Sequence, residues 1–175
     1  MNTKKKVLLV CVVVCIGVIG YWILLPERVE QQKVVSIDPR VLYPVEAILD
    51  GDTFTLVVKR KHITVRMLGI DTPETVDPRK PAQCYGAEAS AETKSMLKDH
   101  SVRLVLNPDR EVLDKYGRYL AYVYRDDGMF INEHLLEKGF AREYTYGKPY
   151  SLQKEFRKTE REAKQNKKGL WGECE

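Results

Sequence analysis

Histidine is scarce in this 175-residue chain, with 3 in all, and cysteine is barely commoner at 4. Proline (8) and glycine (11) are too few, and the apolar share of 43% too high, for a disordered or fibrous chain. No internal repeat and no low-complexity tract is present, which excludes solenoids and arrays. Net charge is almost absent as well. The formal +4 owes three charges to Lys4, Lys5 and Lys6, and beyond Leu25 there are 26 basic residues against 25 acidic ones, net +1. Global charge therefore argues for no polyanionic partner, and any such case must rest on particular residues. The length suits one domain with an appendage.

The appendage is the 19-residue run Val7 to Leu25, which holds neither a charge nor a proline. At 1.5 Å per helical residue such a run can cross a hydrocarbon core of about 30 Å. Three lysines precede it and the mixed stretch Glu27, Arg28, Glu30 follows, so the positive-inside bias keeps the N-terminus in the cytoplasm and sends the body outward. Residues 1–25 are expected to form a signal-anchor or signal peptide. No A-x-A cleavage site is present, only Val18-Ile19-Gly20 before Tyr21-Trp22, which favours an uncleaved single-pass anchor in the cell membrane with an extracellular body. The alternative is secretion after cleavage. Cys11 and Cys15 lie inside the run and read as small hydrophobes. Cys84 and Cys174 are then the only thiols of an exported body, and an oxidising compartment invites them to pair. Closing a loop of about 90 residues would stabilise by roughly 4 to 5 kcal/mol in the chain-entropy account.

Residues 26–43 are polar and irregular and read as a tether, leaving 44–175 as the domain. Strands are expected at Val45 to Leu49, Thr53 to Val58 and Lys61 to Leu68, the last alternating Ile63, Val65 and Met67 against Thr64 and Arg66. Tyr85, Ala89, Thr93, Met96 and Leu97 fall at helical spacing over Gly86 to Asp99. Two more strands follow, Val102 to Leu106 and Arg118 to Tyr124, then a short helix carrying Ile131, Leu135 and Leu136. Ser151 is the expected N-cap of a final helix with Leu152, Phe156 and Ala163 inward. The class is α+β. Five short strands with three helices can close into a small Greek-key barrel of the OB type.

Chemistry concentrates in two places. Asp50-Gly51-Asp52-Thr53 joins the first two strands, and Asp71-Thr72-Pro73-Glu74 follows the third. If these strands are neighbours, Asp52, Asp71 and Glu74 converge, and clustered carboxylates need a cation. An oxygen-only set without His or Cys suits Ca²⁺ or Mg²⁺ and not zinc, and the spacing excludes an EF-hand. Pro73 favours an extended Thr72, whose carbonyl can face the ion. Arg66 lies on the polar face of the third strand, and Arg118 closes Asp114-Lys115-Tyr116-Gly117-Arg118. Two guanidinium groups beside a divalent ion make a clamp for a phosphoryl group. His62, His100 and His134 show no paired acid/base arrangement and read as surface or packing residues.

The segments Asp50 to Thr53, Arg66 to Glu74, Tyr85-Gly86-Ala87-Glu88-Ala89 and Asp114 to Arg118, followed by Asn132-Glu133 and Gly169-Leu170-Trp171, resemble the staphylococcal nuclease (thermonuclease) family in order and spacing from Pro44 to Trp171. The resemblance implies an OB-fold, Ca²⁺-dependent phosphodiesterase. It would hydrolyse DNA and RNA with little sequence specificity, cleaving the 5′-oxygen side to leave 3′-phosphate products. Matching positions assign Asp52, Asp71 and the Thr72 carbonyl to calcium, Glu74 to the attacking water, and Arg66 with Arg118 to the scissile phosphate. Lys115, Tyr116, Tyr144 and Tyr146 correspond to positions that bind the nucleotide. The partners implied are DNA, RNA and, through the N-terminal run, a membrane, with no obligate protein partner and a monomeric state. The rival reading is a non-catalytic OB barrel that grips single strands without cutting. A degenerate member should have lost a carboxylate or arginine, and this chain keeps them all.

Overall fold

The computed structural model describes residues 34–75 and 81–174. The N-terminal run, its expected anchor role and residues 26–33 of the tether lie outside the described residues, as do Asp77, Arg79 and Lys80. No described helix is long and apolar enough to cross a membrane.

Five strands close a barrel in the order β1-β2-β3-β6-β5: β1 (Tyr43–Asp50), β2 (Thr53–Val58), β3 (Lys61–Met67), β5 (Ser101–Leu106) and β6 (Tyr119–Arg125). Alternation dictates which side faces in. Phe54, Leu56 and Val58 of β2 and Ile63, Val65 and Met67 of β3 are buried, and Arg66 shares the opposite face with Thr64. The β2–β3 hairpin turns on Lys59 and Arg60, whose φ angles of 50° and 64° give the primed turn that matches strand twist. β3 runs parallel to β6, pairing Arg66 with Leu120, and that pairing brings the polar face of β3 beside the start of β6.

A second sheet was not expected from the sequence. It consists of two-residue strands, β4 (Ile70–Asp71) and β7 (Arg142–Glu143), pairing Asp71 with Arg142. Elements of two residues are too short to carry a period, so only tertiary contact defines them.

Four helices complete the described fold: α1 (Gly86–Leu97), α2 (Ile131–Glu137), α3 (Gln153–Gln165) and the single turn α4 (Leu170–Glu173). α1 buries Ala89, Thr93, Met96 and Leu97, and Thr93 Oγ1 donates to the Gly51 carbonyl at 2.5 Å, tying the helix to the β1–β2 turn. Asn132 of α2 is fully buried and satisfied, accepting from the Val123 N–H at 2.9 Å and donating to the Leu68 carbonyl at 2.9 Å. Ser151 is not the N-cap of α3. The capping position is Leu152, and the Ser151 hydroxyl is 3.1 Å from the Tyr122 hydroxyl, which competes for it across the core boundary. Residues 34–43, read from sequence as tether, pack on the barrel: Ile37 is in the core and the Val35 N–H donates to the Tyr119 hydroxyl. Cys84 and Cys174 are joined, with Cα atoms 5.8 Å apart, so the chain after α4 is fastened to the start of α1.

Candidate active site

The first part of the site is a corner crowded with carboxylates. It exists because Gly51 has no side chain: a Cβ there would lie 2.7 Å from Thr72 Oγ1, so only glycine lets the segment after β4 close on the β1–β2 turn. The close approach allows the Thr72 N–H to donate to Asp52 Oδ2 at 3.0 Å, while Thr53 Oγ1 donates to Asp52 Oδ1 at 2.9 Å. Asp52 is buried, and Arg66, the cross-strand neighbour of Thr53, reaches over it. Arg66 Nη1 is 2.5 Å from Asp52 Oδ2 and donates to the Ile70 carbonyl at 2.9 Å, and Nη2 donates to Asp71 Oδ1 at 2.6 Å.

Two more carboxylates border this ion triad. Asp50 is buried and accepts from Thr75 Oγ1 at 2.9 Å. Its carboxyl is pushed above the usual range, first by desolvation and further by the charges of Asp52 and Glu74. Asp71 is also pushed up by desolvation, against the pull of Arg66. Glu74 is positioned through its backbone, since its N–H donates to Gln83 Oε1 at 3.1 Å and its carbonyl accepts from the Gln83 N–H at 2.9 Å. Among the described residues no three His, Cys, Asp or Glu side chains stand together as a ready-made ligand cluster. Asp52 and Asp71 do meet, but across the Arg66 guanidinium, which supplies the countercharge between them. The donors nonetheless suit a hard cation. They are oxygens, negative charge is in excess, and among the described residues Thr72 Oγ1 is buried without a hydrogen-bond partner.

The second part is an open cleft of about 280 Å³ that gathers Arg66, Asp71, Lys115, Tyr116, Arg118, Tyr144 and Tyr146. Asp52 and Thr72 are buried and do not line it. Arg118 is delivered by a turn that Asp114 organises: Oδ1 accepts the N–H groups of Tyr116 and Arg118, both at 2.9 Å, and Gly117 supplies the left-handed φ of 78°. Asp114 Oδ2 accepts Arg118 Nε at 2.7 Å. Burial would raise the Asp114 carboxyl, but the Arg118 N–H, its guanidinium and the Tyr116 N–H outweigh that and hold it below the usual range. Held by Nε alone, Arg118 keeps both terminal nitrogens free of hydrogen bonds among the described residues.

The rim of the cleft is aromatic and exposed. Tyr116 is 71% exposed, Tyr146 57% and Tyr144 46%, unusual for large rings without a use. Tyr144 and Tyr146 stack with centroids 6.5 Å apart. Lys115 Nζ lies 4.9 Å from the Tyr116 centroid and 5.9 Å from that of Tyr146, bridging two loops. The three histidines are elsewhere, each beside a carboxylate: His62 with Glu46, His100 with Asp126 and His134 with Glu92.

Sequence reasoning missed three supports. Asp114 had a signal, an Asp opening a four-residue turn that ends in Gly. Glu143 had none. Its carboxylate accepts from Tyr150 OH at 3.0 Å, from Arg157 Nε at 3.2 Å and from Thr145 Oγ1, and it roots the tyrosine loop on α3. Arg110 also had none, because its partners lie 36 and 38 residues away.

Comparison with known proteins bears on this geometry. Residues 64–173 match the model of the family described as staphylococcal nuclease homologue. The chain is 42% identical over 129 residues to a thermonuclease of Staphylococcus hyicus, covering 74% of this chain and 75% of that protein. It is 40% identical over 129 residues to a thermonuclease of Staphylococcus intermedius, with the same coverage. Against endonuclease YncB of Bacillus subtilis it is 38% identical over 148 residues, 83% of this chain and 66% of that one. With the matched region running from β3 through α4, and so through Arg66, Asp71, Glu74 and Arg118, the chain belongs to the staphylococcal nuclease homologue family.

Proposed function

We propose that this protein is a nuclease, a calcium-dependent phosphodiesterase that hydrolyses DNA and RNA with little sequence preference. The observation that carries the reading is the presence of Arg66 and Arg118 on one cleft, beside Asp71 and bordered by exposed tyrosines, in a chain of this family. Arg118, oriented by Asp114, offers two parallel donors to a phosphate. Arg66 also lines the cleft, positioned by Asp52 and Asp71. Asp52, Asp71 and the Thr72 carbonyl are the groups that would hold calcium, which when bound supplies positive charge beside the phosphate. Glu74 acts on the attacking water, either accepting its proton or orienting it while solvent takes the proton. Water attacks phosphorus in line with the 5′-oxygen, and the P–O5′ bond breaks as the new P–O bond forms. The 5′-oxygen takes up a proton from solvent and a 3′-phosphate remains, while the two guanidinium groups meet charge that builds on the equatorial oxygens. Lys115, Tyr116, Tyr144 and Tyr146 hold the adjoining nucleotide by charge and stacking.

The joined Cys84 and Cys174 support an oxidising compartment, in line with export behind the N-terminal run. We place the nuclease domain outside the cell as a monomer, anchored by residues 1–25 or released by cleavage. The deciding experiment incubates the purified protein with single-stranded DNA and RNA in calcium and in excess EGTA. Degradation in calcium alone is expected, with magnesium supporting less because it keeps a regular hydrated octahedron. Undiminished cutting in EGTA would end the calcium assignment.

A further inference from the structure

We infer that Arg110 is a positioning residue that locks the two substrate loops into one preformed rim. Its guanidinium donates through Nη1 to the Lys148 carbonyl and through Nη2 to the Tyr146 carbonyl, both at 2.6 Å. Arg110 belongs to the segment between β5 and β6 that carries Asp114, Lys115, Tyr116 and Arg118, whereas residues 146 and 148 belong to the tyrosine loop. One side chain thus ties the loop that delivers a phosphate ligand to the loop that delivers the stacking rings.

The geometry favours a dedicated fork over a chance contact. Gly147, between the two accepting residues, has φ of 72°, which turns the flanking carbonyls toward one donor group. A Cβ on Gly147 would lie 3.9 Å from Arg110 Nη1, so the guanidinium lies against the turn itself. Among the described residues Arg110 Nε is buried without a hydrogen-bond partner, a cost that the two terminal-nitrogen bonds offset. The far end of the tyrosine loop is held separately. Glu143 accepts from Tyr150 and Arg157, and Tyr150 OH also lies 3.1 Å from the Gly69 carbonyl. The Tyr144 N–H donates to that same carbonyl at 3.0 Å. Between these anchors, and among the described residues, Tyr146 is tied to the neighbouring loop through Arg110 and the Lys115 cation near its ring. With the fork in place, the spacing of Tyr116, Lys115 and Tyr146 is set before substrate arrives, and ordering costs are not charged to binding.

The inference rests on the reading of Tyr146 as a substrate contact, and the test separates the two. Arg110→Met, Arg110→Lys, Tyr146→Ala and the Arg110→Met/Tyr146→Ala double variant are compared with the parent protein. Affinity for an eight-residue oligothymidylate is measured by fluorescence anisotropy in EGTA, and KM and kcat on the same oligonucleotide in calcium. Arg110→Met should weaken Kd and KM about tenfold, the scale of one lost stacking contact, with kcat reduced less than about threefold. Arg110→Lys keeps the charge but cannot fork to two carbonyls, so it should recover at most part of the loss. The double variant should be no weaker than the weaker single one. Full recovery by lysine, additive losses, or a fall in kcat with unchanged KM would overturn the fork. If Arg110→Met does not fold, as judged by its thermal transition, the lysine variant decides alone. Wild-type affinity in Tyr146→Ala would overturn the rim reading, and absence of cutting with intact anisotropy would overturn the nuclease reading and leave the fork standing.

Discussion

The two halves of the site are built on opposite principles. The carboxylate corner is sunk into the barrel: Asp50, Asp52 and Thr72 are buried, Arg66 is nearly so, and each side chain is aimed by a strand or by the turn between strands. The rim is its reverse, with Tyr116, Tyr144 and Tyr146 exposed on loops that borrow their order from Arg110, Asp114 and Glu143. Groups that meet charge developing on a phosphate must be in place beforehand and must be shielded from water to act strongly, which suits the corner. Groups that receive bases of any identity need area and access, which suits the rim.

The comparison predicts that damage to the two halves will read out differently. The largest effect should come from Arg118→Ala, which removes the donor whose terminal nitrogens face the cleft. We expect a loss of about 10²-fold or more in single-turnover rate with an unchanged thermal transition, and wild-type turnover in the folded variant would remove Arg118 from the chemistry.

Replacing Cys84 and Cys174 by serine should come next, lowering stability by roughly 4 kcal/mol in denaturant titration, on the chain-entropy scale for a loop of this size. Because Cys84 follows Gln83, which grips Glu74 by both backbone groups, the residual catalytic defect should fall on kcat rather than on KM. A defect confined to KM would show that the disulfide serves the rim instead.

The smallest effect is expected from Asp50→Asn, and its sign is informative. Burial, Asp52 and Glu74 raise the Asp50 carboxyl above its ordinary 3.8, so the folded protein resists its ionisation. A group raised in the folded state contributes stability that is present below the unfolded value and is lost as pH rises through the folded one. In the metal-free protein Asp50→Asn should therefore match the parent below about pH 3.8 and exceed it at neutral pH by a few degrees in thermal midpoint. The Asn side chain can still accept from Thr75. Destabilisation at neutral pH would mean that the corner is not in excess negative charge.

Much of the barrel was legible because its signals are local. Alternation in Lys61 to Met67 has period 2 over enough residues to declare an inward face, and the structure buries Ile63, Val65 and Met67 on it. Elements with no room for a period stayed hidden, namely β4, β7 and α4, and so did the packing of residues 34–43 on the barrel. The same division runs through the site. Arg66, Asp71 and Arg118 were named from motif chemistry, whereas Lys115, Tyr116, Tyr144 and Tyr146 came only through the resemblance to the family, and all seven share a cleft.

By itself, then, the sequence determined which residues carry charge and aromatic area, and, through alternation and turn chemistry, which strands present them. The tertiary structure alone decided their partners. Arg66 lies between Asp52 and Asp71 because Gly51 admits Thr72, and the tyrosine loop joins the Arg118 loop because Arg110 reaches carbonyls 36 and 38 residues away. Those choices depend on backbone approach and on side-chain reach across chain-distant segments, and neither leaves a period or a spacing in the primary chain.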